Sequence, residues 1–383
     1  MIGLGAQIPS HYDAAGPPHH VKVDHSMVTI RDVAKHAGVS VATVSRVING
    51  VGGVSNETVR RVQQSVQALG FEPDFLAQSW RTRVTRTLAA VVADNTSPHH
   101  SIMLREAGSV ALAHDYSLIL CTAYFDPEVE HRYLRMLRLR RVDGILLNST
   151  GDCREPIRKL TESGIPVVML NRPLGDYGPL VDAVVVDSYA GSFAMVDHLI
   201  RSGHRRIALA YHETLNEYHK HERLRGYQDA LHSHGLPYDT DLVFCGNFTE
   251  GSDALCDCFD LSPRPTALFA ASYNTGLAAM SALHARGLRI PEDMAFAMFD
   301  DVMWGAFVDP PLTLVCNPAE EVGRTAMELL FARLADRSRP TQEIKLRPKL
   351  VLRRSCGWTG PMGESCVTNT DAIQVRALAA SEV

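Results

Sequence analysis

Residues 29–49 read TIRDVAKHAGVSVATVSRVIN, and they predict two short helices joined by a tight turn. Thr29 stands where it can cap the first helix, with Asp32 three residues later in the capping-box position. Gly38 suits the left-handed conformation that ends many helices, and Ser40 can cap the helix that follows. Two helices this short are marginal by themselves, so we expect their packing to present a surface to a partner.

The second predicted helix has an outward face of small or hydrogen-bonding side chains with a single cation. That face consists of Val41, Ala42, Thr43, Ser45 and Arg46. It fits the major groove of DNA, where threonine and serine reach phosphates and an arginine reaches a guanine edge.

The same stretch resembles the signature of LacI-type transcription factors, D-V-A-x-x-A-G-V-S-x-x-T-V-S-R-V-x-N. The matching positions are Asp32, Val33, Ala34, Ala37, Gly38, Val39, Ser40, Thr43, Val44, Ser45, Arg46, Val47 and Asn49. The alternative is a helical hairpin of an unrelated domain, but such a hairpin would not be expected to match the signature at so many positions. The DNA-contacting residues that the resemblance and the outward face imply are Thr29, Ser40, Val41, Ala42, Thr43, Ser45, Arg46, Asn49, Ser55, Ala77 and Trp80.

Length and composition limit the class of protein. A chain of 383 residues favours two or three folding units. It has no run of 18 apolar residues and no leader-like segment before Met27, so we expect neither a membrane span nor a secretory signal. The eight cysteines are scattered, which suits a cytoplasmic protein. Cys256 and Cys258 lack the second pair that a metal site would need, and we expect no metal or other cofactor.

The charge of the chain is distributed unevenly. The net charge of −5 by itself argues against binding to nucleic acid. Residues 28–83, however, carry seven basic and four acidic side chains, a net charge of +3, which leaves −8 for the rest of the chain. A basic head on an acidic body is expected of a protein that touches DNA at one end only.

From Thr87 onward the pattern changes to short apolar runs alternating with amphipathic stretches. Continuous apolar strands separated by helices predict parallel sheets covered on both faces, and the length is right for two such sheets. This part resembles the effector domain of LacI-type proteins. The resulting fold class is an all-α three-helix helix-turn-helix DNA-binding head joined by a hinge helix to an α/β periplasmic-binding-protein-like domain of two parallel-sheet lobes.

The predicted domain bounds follow from these changes in pattern. They are a disordered extension at 1–27, with Met27 as a candidate native start, the DNA-binding domain at 28–72, a hinge at 73–86, an effector-binding and dimerisation domain at 87–357 and an irregular tail at 358–383. Lobe one is expected at about 87–187 and 317–346, and lobe two at about 188–316 and 347–357. The tail lacks the leucine heptads that would form a tetramerising coiled coil, so we expect a homodimer.

The hinge resembles a segment that becomes a helix in the minor groove when LacI-type proteins bind their operator. In similar proteins a leucine from each subunit wedges into the central base step, whereas this chain has Trp80 at that position. An indole can stack on an unstacked base. Trp80→Ala should therefore lower operator affinity and DNA bending and leave nonspecific binding intact. The alternative is that Trp80 packs on its own domain.

Candidate effector-binding residues follow the predicted strands, because ligands of open parallel sheets lie at the carboxyl ends of strands. They are His99, His100, Asn148, Asn171, Arg172, Arg223, Phe248, Ser272 and Asp300. By resemblance, Arg223 matches an effector-binding arginine, Phe248 an aromatic wall and Asp300 a carboxylate that holds ligand hydroxyls or ring nitrogens. Similar proteins usually have two aromatic residues where this chain has His99 and His100, which alternatively only cap the next helix.

The excess of donors among Arg172, Arg223, His99 and His100 predicts an acid-bearing effector, such as a sugar acid or a sugar phosphate. Histidines would make its affinity fall as pH rises through their titration range.

A sugar-processing enzyme is the competing class. It would need a nucleophile and base or paired carboxylates, but adjacent Asp300 and Asp301 should diverge and no glycine-rich phosphate loop follows a strand. We therefore expect a transcriptional repressor that is not an enzyme. It should bind a pseudo-palindromic double-stranded DNA operator as a dimer, under control of a sugar, sugar acid or sugar phosphate, with no membrane partner.

Overall fold

A computed structural model describes residues 28–48, 50–71, 84–151, 153–173, 181–212, 217–246, 253–300, 302–360, 363–365 and 373–377. The chain divides into two compact units, one ending at Arg83 and the other beginning at Val84. Among the described residues, no helix is long and apolar enough to cross a membrane.

The first unit, here called the head, consists in its described part of three helices. These are α1 (Ile30–Ala37), α2 (Val41–Ile48) and α3 (Asn56–Leu69). The capping box at the start of α1 is formed, because the Thr29 side chain accepts from the Asp32 amide and Asp32 accepts in return from the Thr29 amide at 2.9 Å. Gly38 ends α1 with a φ of 64°, the left-handed conformation expected for it.

The core of the head is small. Its buried members are Val33, Ala34, Ala37, Val44 and Val62, with further apolar side chains half buried around them. The Arg61 guanidinium on α3 donates to the Ala37 carbonyl oxygen at 2.7 Å and so ties α3 to the end of α1.

The second unit alternates strands and helices. Its described strands are β1 (Thr87–Val92), β2 (Ser117–Thr122), β3 (Gly144–Asn148), β4 (Val167–Leu170), β5 (Asp182–Val186), β6 (Ile207–His212), β7 (Val243–Gly246), β8 (Ala267–Ala270), β9 (Ala295–Phe299), β10 (Thr313–Cys316), β11 (Gln342–Leu346), β12 (Lys349–Leu352), β13 (Gly363–Ser365) and β14 (Ile373–Ala377). Its described α-helices are α4 (Pro98–Ala113), α5 (Pro127–Arg140), α6 (Arg154–Glu162), α7 (Ser188–Arg201), α8 (Glu217–Ser233), α9 (Asp253–Asp260), α10 (Tyr273–Ala285) and α11 (Ala319–Ala335).

These strands form two sheets of seven strands each. The order is β14-β11-β5-β4-β3-β1-β2 in one sheet, which with its helices is lobe one, and β13-β12-β10-β9-β8-β6-β7 in the other, lobe two. Neighbouring strands are parallel except where β12, β13 and β14 add antiparallel to their sheets. The chain therefore passes between the lobes after β5, after β10, after β11 and after β13.

The prediction of an irregular tail at 358–383 is wrong for two segments, β13 and β14. β13 pairs with β12 and β14 pairs with β11, so each extends one edge of a sheet. The residues of β14 read IQVRA, an alternation of apolar and longer polar side chains that is typical of an edge strand with one covered face. This five-residue pattern is too short to predict a strand from the sequence alone. It becomes informative once the structure shows that the edge of β11 is available for pairing.

Lobe one is covered on both faces, as its continuous apolar strands predict. Along β1, Leu88 and Ala90 pack into one buried cluster, while Ala89 and Val91 pack into another on the opposite face. On the first face, α11 crosses α4 so closely that a Cβ at Gly323 would lie 2.2 Å from the Met103 carbonyl oxygen. Only glycine permits this approach of two helices.

The strand registers bring the carboxyl ends of the strands in each lobe to one edge. In lobe one, Val92 at the end of β1 pairs with Asn148 at the end of β3. In lobe two, Ala270 at the end of β8 pairs with Met298 near the end of β9. The residues that directly follow these strands therefore lie side by side, where parallel sheets carry their ligands.

Candidate effector cavity and DNA-binding surface

A cavity of about 140 Å³ lies at these strand ends and takes residues from both lobes. Its lining consists of Ala93, Asp94, Ser97, His99, His100, Phe125, Asn148, Ser149, Thr150, Asn171, Val186, His212, His219, Arg223, Ser272, Tyr273, Asn274, Asp300 and Asn317. The predicted positions His99, His100, Asn148, Asn171, Arg223, Ser272 and Asp300 are thus brought together.

Asp300 is held rigidly just after β9. Its backbone adopts a φ of 76°, an unusual conformation for a residue other than glycine. One carboxylate oxygen accepts from the Asn317 side-chain amide at 2.6 Å, and the other accepts from the backbone amide of Tyr273 at 3.1 Å. The carboxylate is therefore oriented before any ligand binds, and its remaining lone pairs can accept from ligand hydroxyls.

Arg223, on α8, is a buried cation of the cavity wall. Its guanidinium donates to the Ala271 carbonyl oxygen and stacks over the Phe299 ring, with 3.8 Å from Cζ to the ring centroid. Burial lowers its pKa to about 10, and the negative charge of Asp300 opposes that change. The group stays charged at neutral pH, and its planar fork leaves further N–H donors for a ligand.

His99 and His100 begin α4 and are enclosed together, with 5.6 Å between ring centroids. The Asn171 side-chain amide lies 3.3 Å from His99 Nε2, which therefore accepts and leaves the proton on Nδ1. Burial lowers the pKa of His99 to about 4 and also lowers the pKa of His100. Both rings are therefore neutral at pH 7.

Two further histidines in the lining, His212 and His219, were missed by the sequence analysis. His219 Nδ1 lies 2.9 Å from the Ser188 hydroxyl, and burial lowers its pKa well below the ordinary value. His212 closes β6, so its place after a strand end could have flagged it. His219 lies within α8, and only the orientation of that helix brings it to the cavity.

The loop after β3 also contributes to the cavity and was not predicted from the sequence. Ser149 and Thr150 line the cavity, and both are held by Glu130, whose side chain is completely buried. Its carboxylate accepts from the Ser149 hydroxyl at 2.8 Å and from the Thr150 amide at 2.7 Å. Glu130 is a helix residue without any sequence signal that would link it to a binding loop.

Other lining residues that were not predicted from the sequence include Asp94, Phe125 and Asn317. Phe125 supplies an aromatic wall from the loop after β2, with a left-handed φ of 59°. Phe248, the aromatic wall predicted by resemblance, lies outside the described residues.

Arg172 is placed differently from the prediction. It does not line the cavity, and its guanidinium donates to the Gly151 carbonyl oxygen at 2.7 Å. The left-handed backbone of Asn171, with a φ of 55°, directs consecutive side chains apart, so Asn171 faces the cavity and Arg172 supports the neighbouring loop. Among the described lining residues, Arg223 remains as the permanent cation, opposed by Asp300 and Asp94.

The helix face that was predicted to contact DNA is largely exposed in the head, as expected from the sequence. On α2, Val44 is buried, whereas Val41, Ala42 and Arg46 are exposed and Thr43 and Ser45 are half buried. Ser40 and Ser55 cap α2 and α3 by accepting from the amides of Thr43 and Thr58 at 3.1 and 3.3 Å. Asn49, Ala77 and Trp80 lie outside the described residues.

Fold and sites together define a two-lobed ligand-binding unit that follows a helix-turn-helix head, which is the architecture of a ligand-responsive DNA-binding protein. The model of the bacterial regulatory proteins of the lacI family matches residues 29–74, and that of the periplasmic binding protein-like domain matches residues 196–356.

The matches with two relatives span most of this chain and nearly the whole of each relative. The HTH-type transcriptional repressor PurR of Aliivibrio salmonicida (strain LFI1238) is 32% identical over 331 residues, 86% of this chain and 99% of the relative. PurR of Vibrio atlanticus (strain LGP32) is 33% identical over 335 residues, 85% and 98% of the two chains. The chain therefore belongs to the lacI family of bacterial regulatory proteins, and the predicted family is confirmed. The helix-turn-helix head and the two-lobed α/β unit of the predicted fold class are confirmed as well. The predicted hinge helix falls on residues 73–83, which lie outside the described part of the chain.

Solved structures agree with this assignment. A complex of the transcriptional regulator CelR with cellobiose shares 34% identity with a TM-score of 0.65 and covers 86% of this chain and 99% of its own. The lac repressor dimer bound to operator and the anti-inducer ONPF has a TM-score of 0.76 at 23% identity, with the same coverage, and is similar in fold. The protein is a DNA-binding transcriptional regulator with a small-molecule-binding unit.

Proposed function

We propose that this protein is a transcriptional repressor that binds a pseudo-palindromic operator as a homodimer and responds to a small, neutral, polyhydroxylated molecule in the cavity between its lobes. The observation that carries the proposal is a set of enclosed polar atoms in the cavity lining without hydrogen-bond partners among the described residues. They are His99 Nδ1, His100 Nδ1, Thr150 Oγ1, Asn171 Oδ1 and Asn317 Oδ1.

Burying these polar atoms without hydrogen-bond partners destabilises the folded protein unless a ligand bonds to them. A buried polar group without a partner costs about 1–3 kcal/mol, so several at one place favour a bound molecule that satisfies them. The set mixes the N–H donor of His99 with the carbonyl acceptors of Asn171 and Asn317. Hydroxyl groups both donate and accept, so a polyhydroxylated ligand can match such a wall, with Phe125 and Tyr273 as its aromatic contacts.

The charge of the cavity favours a neutral ligand over the acid-bearing one expected from sequence. Arg172 is not in the lining, and Asp300 opposes Arg223. Because the pKa of His99 is about 4, its ring carries no charge to offer between pH 6 and 8. The expected fall of affinity with rising pH therefore loses its basis, and the dissociation constant should stay within about twofold over that range.

A homodimer is supported by apolar surface on lobe one. β2 is an edge strand, and its Ile119 and Leu120 are exposed at 42% and 46%. Leu112 and Leu139, on the helices that flank it in sequence, are exposed at 75% and 70%. An exposed apolar edge strand is a pairing hazard in a monomer, and a two-fold interface would bury it.

Control of operator binding by a ligand is supported by the fact that both lobes contribute residues to the cavity. His99 and Asn171 belong to lobe one, and Arg223 and Ser272 belong to lobe two. A ligand that bonds to both lobes favours the arrangement in which the lobes are closest. If that arrangement also changes operator affinity, the ligand shifts operator binding by at most the difference between its binding free energies for the two arrangements.

An enzyme is the weaker assignment. Ser188 and His219 resemble a nucleophile and base, with 2.9 Å between Oγ and Nδ1. Ser188 is fully buried, however, and its hydroxyl lies 3.4 Å from Arg223 Nε, so it is unavailable to a substrate.

In vitro selection from random duplex DNA with the full chain tests the proposal. We expect enrichment of a sequence with two-fold symmetry, a dimer by sedimentation, and a higher melting temperature with a neutral sugar than with the matching sugar acid. Enriched sites without symmetry, or stabilisation by the acid alone, would contradict it.

A further inference from the structure

A second cavity lies at the opposite edge of the lobe-one sheet from the effector cavity. It encloses about 270 Å³, and its lining is Thr161, Gly164, Ile165, Pro166, Val167, Val181, Asp182, Arg333, Arg337, Ser338, Arg339, Pro340 and Thr341. These residues surround the amino ends of β4, β5 and β11, whereas the effector cavity lies at carboxyl ends. It is thus a separate site.

The lining of the second cavity is positively charged. Three arginines and one aspartate take part, and the aspartate is already used. Asp182 accepts from Arg333 Nε and Nη2 at 3.0 and 2.9 Å, and also from the backbone amide of Gln342 at 2.8 Å. Arg333 and Asp182, with side chains 13% and 3% exposed, neutralise each other, which leaves the charges of Arg337 and Arg339 in the lining. Asp336, outside the lining, is a neighbouring negative charge whose carboxylate accepts from the Ser338 amide and hydroxyl.

Arg333 also shapes the loop that carries the other two arginines. Its guanidinium donates to the carbonyl oxygens of Arg337, Arg339 and Pro340. These bonds hold residues 337–340 against the end of α11, so the conformation of the loop is fixed by hydrogen bonds. Arg337 itself donates through one Nη to the Gly164 carbonyl oxygen, which fixes that side chain across the mouth.

Two groups of the lining remain without hydrogen-bond partners among the described residues. The Thr341 hydroxyl oxygen is enclosed, and the whole residue is only 7% exposed. The Arg339 guanidinium is half buried and donates to none of the described residues. The enclosed Thr341 hydroxyl and the Arg339 guanidinium, both beside the fixed side chain of Arg337, suit a ligand with several acceptor oxygens.

We infer that the second cavity binds a phosphate-type oxyanion, the phosphate or diphosphate group of a small molecule. Tetrahedral oxygens accept from several directions at once, so Arg337, Arg339 and the Thr341 hydroxyl can each bond to a different oxygen. Charge-assisted bonds from arginine forks are the strongest available for this purpose. The protein thereby has a second small-molecule site, on the edge of lobe one at which the chain enters the unit from Val84.

Calorimetric titration of the full chain with sodium pyrophosphate tests the assignment, with ionic strength held constant by sodium chloride. We expect one saturable site, weakened at least about tenfold by Arg339→Gln and about threefold by Thr341→Val. Arg132→Gln removes an exposed charge elsewhere on lobe one and should leave the affinity unchanged. Sodium acetate, a planar monoanion, should bind at least about tenfold more weakly than pyrophosphate.

Further arms separate this site from the effector cavity and from misfolding. Asp300→Asn removes a negative charge from the effector cavity, so tighter pyrophosphate binding in that variant would place the anion there and overturn the assignment. Absence of saturable heat, or equal affinities for the parent and Arg339→Gln, would overturn it as well. Thr341→Val removes an unsatisfied hydroxyl, so without pyrophosphate its melting temperature should equal or exceed that of the parent.

Discussion

The head and the effector cavity are built in opposite ways. The side chains of α2 that are predicted to face DNA come from the eight consecutive residues Val41–Ile48, so local helix geometry alone places them. The effector cavity draws on residues from Ala93 to Asn317, which meet only because two sheets align their strand ends. A local surface can be read from a motif, whereas a cavity of this kind depends on the topology of the whole unit.

The two units also differ in how much core supports them. The head has one cluster of five buried apolar residues, whereas the effector unit has four larger clusters, two in each lobe. A domain as small as the head buries a limited fraction of its surface and is only marginally stable. Single substitutions should therefore unfold the head far more readily than the effector unit.

The largest expected effect is loss of the head by Val62→Asp. Val62 is completely buried in the head core, and an uncompensated carboxylate there costs more than the roughly 2–7 kcal/mol that holds together a unit of this size. Hydrogen exchange should show loss of protection in α1 to α3 with unchanged protection in β1 to β12. Gln63→Asp adds the same charge at the next, exposed position and should keep the head folded.

Arg46→Ala comes next and concerns the reading surface alone. Arg46 is exposed on α2 and makes no contribution to the buried core. If it reads a guanine edge, its loss should cost about 1–3 kcal/mol in operator binding and relax preference at one base pair. Fluorescence anisotropy on operator and on random duplex would separate the roles, because an equal loss on both indicates a phosphate contact.

His99 makes the stability of the effector unit depend on pH. Its pKa is about 4 in the folded protein, against an unfolded value near 6.5, so the unfolded chain binds the extra proton. The neutral ring is favoured in the fold, so this stability is complete above pH 6.5 and falls as pH falls toward 4. Between pH 7 and 5 the contribution of His99 should fall by about 2 kcal/mol.

Urea unfolding of the parent and of His99→Gln at pH 7 and pH 5 measures this contribution. The variant should lose less stability on acidification than the parent. An identical loss in both proteins would mean that His99 is not held neutral by burial.

The smallest effect concerns the start of α3. Ser55 accepts from the Thr58 amide, and Ser55→Ala should lower the stability of the head by about 1 kcal/mol. Ser55→Asn supplies an equivalent cap and should restore it. If both variants are equally destabilised, the role of Ser55 lies elsewhere than in the cap.

Much of the fold could be predicted from the sequence, because its signals are local. Capping at Thr29 and Ser40, the glycine that ends α1, and the apolar runs of β1 to β6 all depend on near neighbours. The antiparallel edge strand β14 was missed because a five-residue alternation is informative only beside the edge that it pairs with. The paired residues of β11 and β14 are 27 to 35 positions apart in sequence, from Leu346 with Ile373 to Gln342 with Ala377, and nothing local indicates their pairing.

The cavity was predictable only where a strand end marks it. His99, Asn148, Asn171 and Asp300 follow strands, and they were found by that rule. Arg172 follows the same strand as Asn171 but turns away, because a left-handed residue intervenes. His219 and the supporting Glu130 lie on helices, where one turn decides which way a side chain points, so they emerge only from the folded structure.

Operator affinity measured with and without the effector, in the parent and in Asp300→Asn, tests most directly that the cavity controls the head. The parent should show an effector-dependent change of about 5–150-fold, the usual size of coupling between two sites. Asp300→Asn should bind operator as the parent does without effector and show little change at the same effector concentration, because its carboxylate no longer accepts from the ligand. An undiminished effector response in Asp300→Asn, or no response in the parent, would contradict the account.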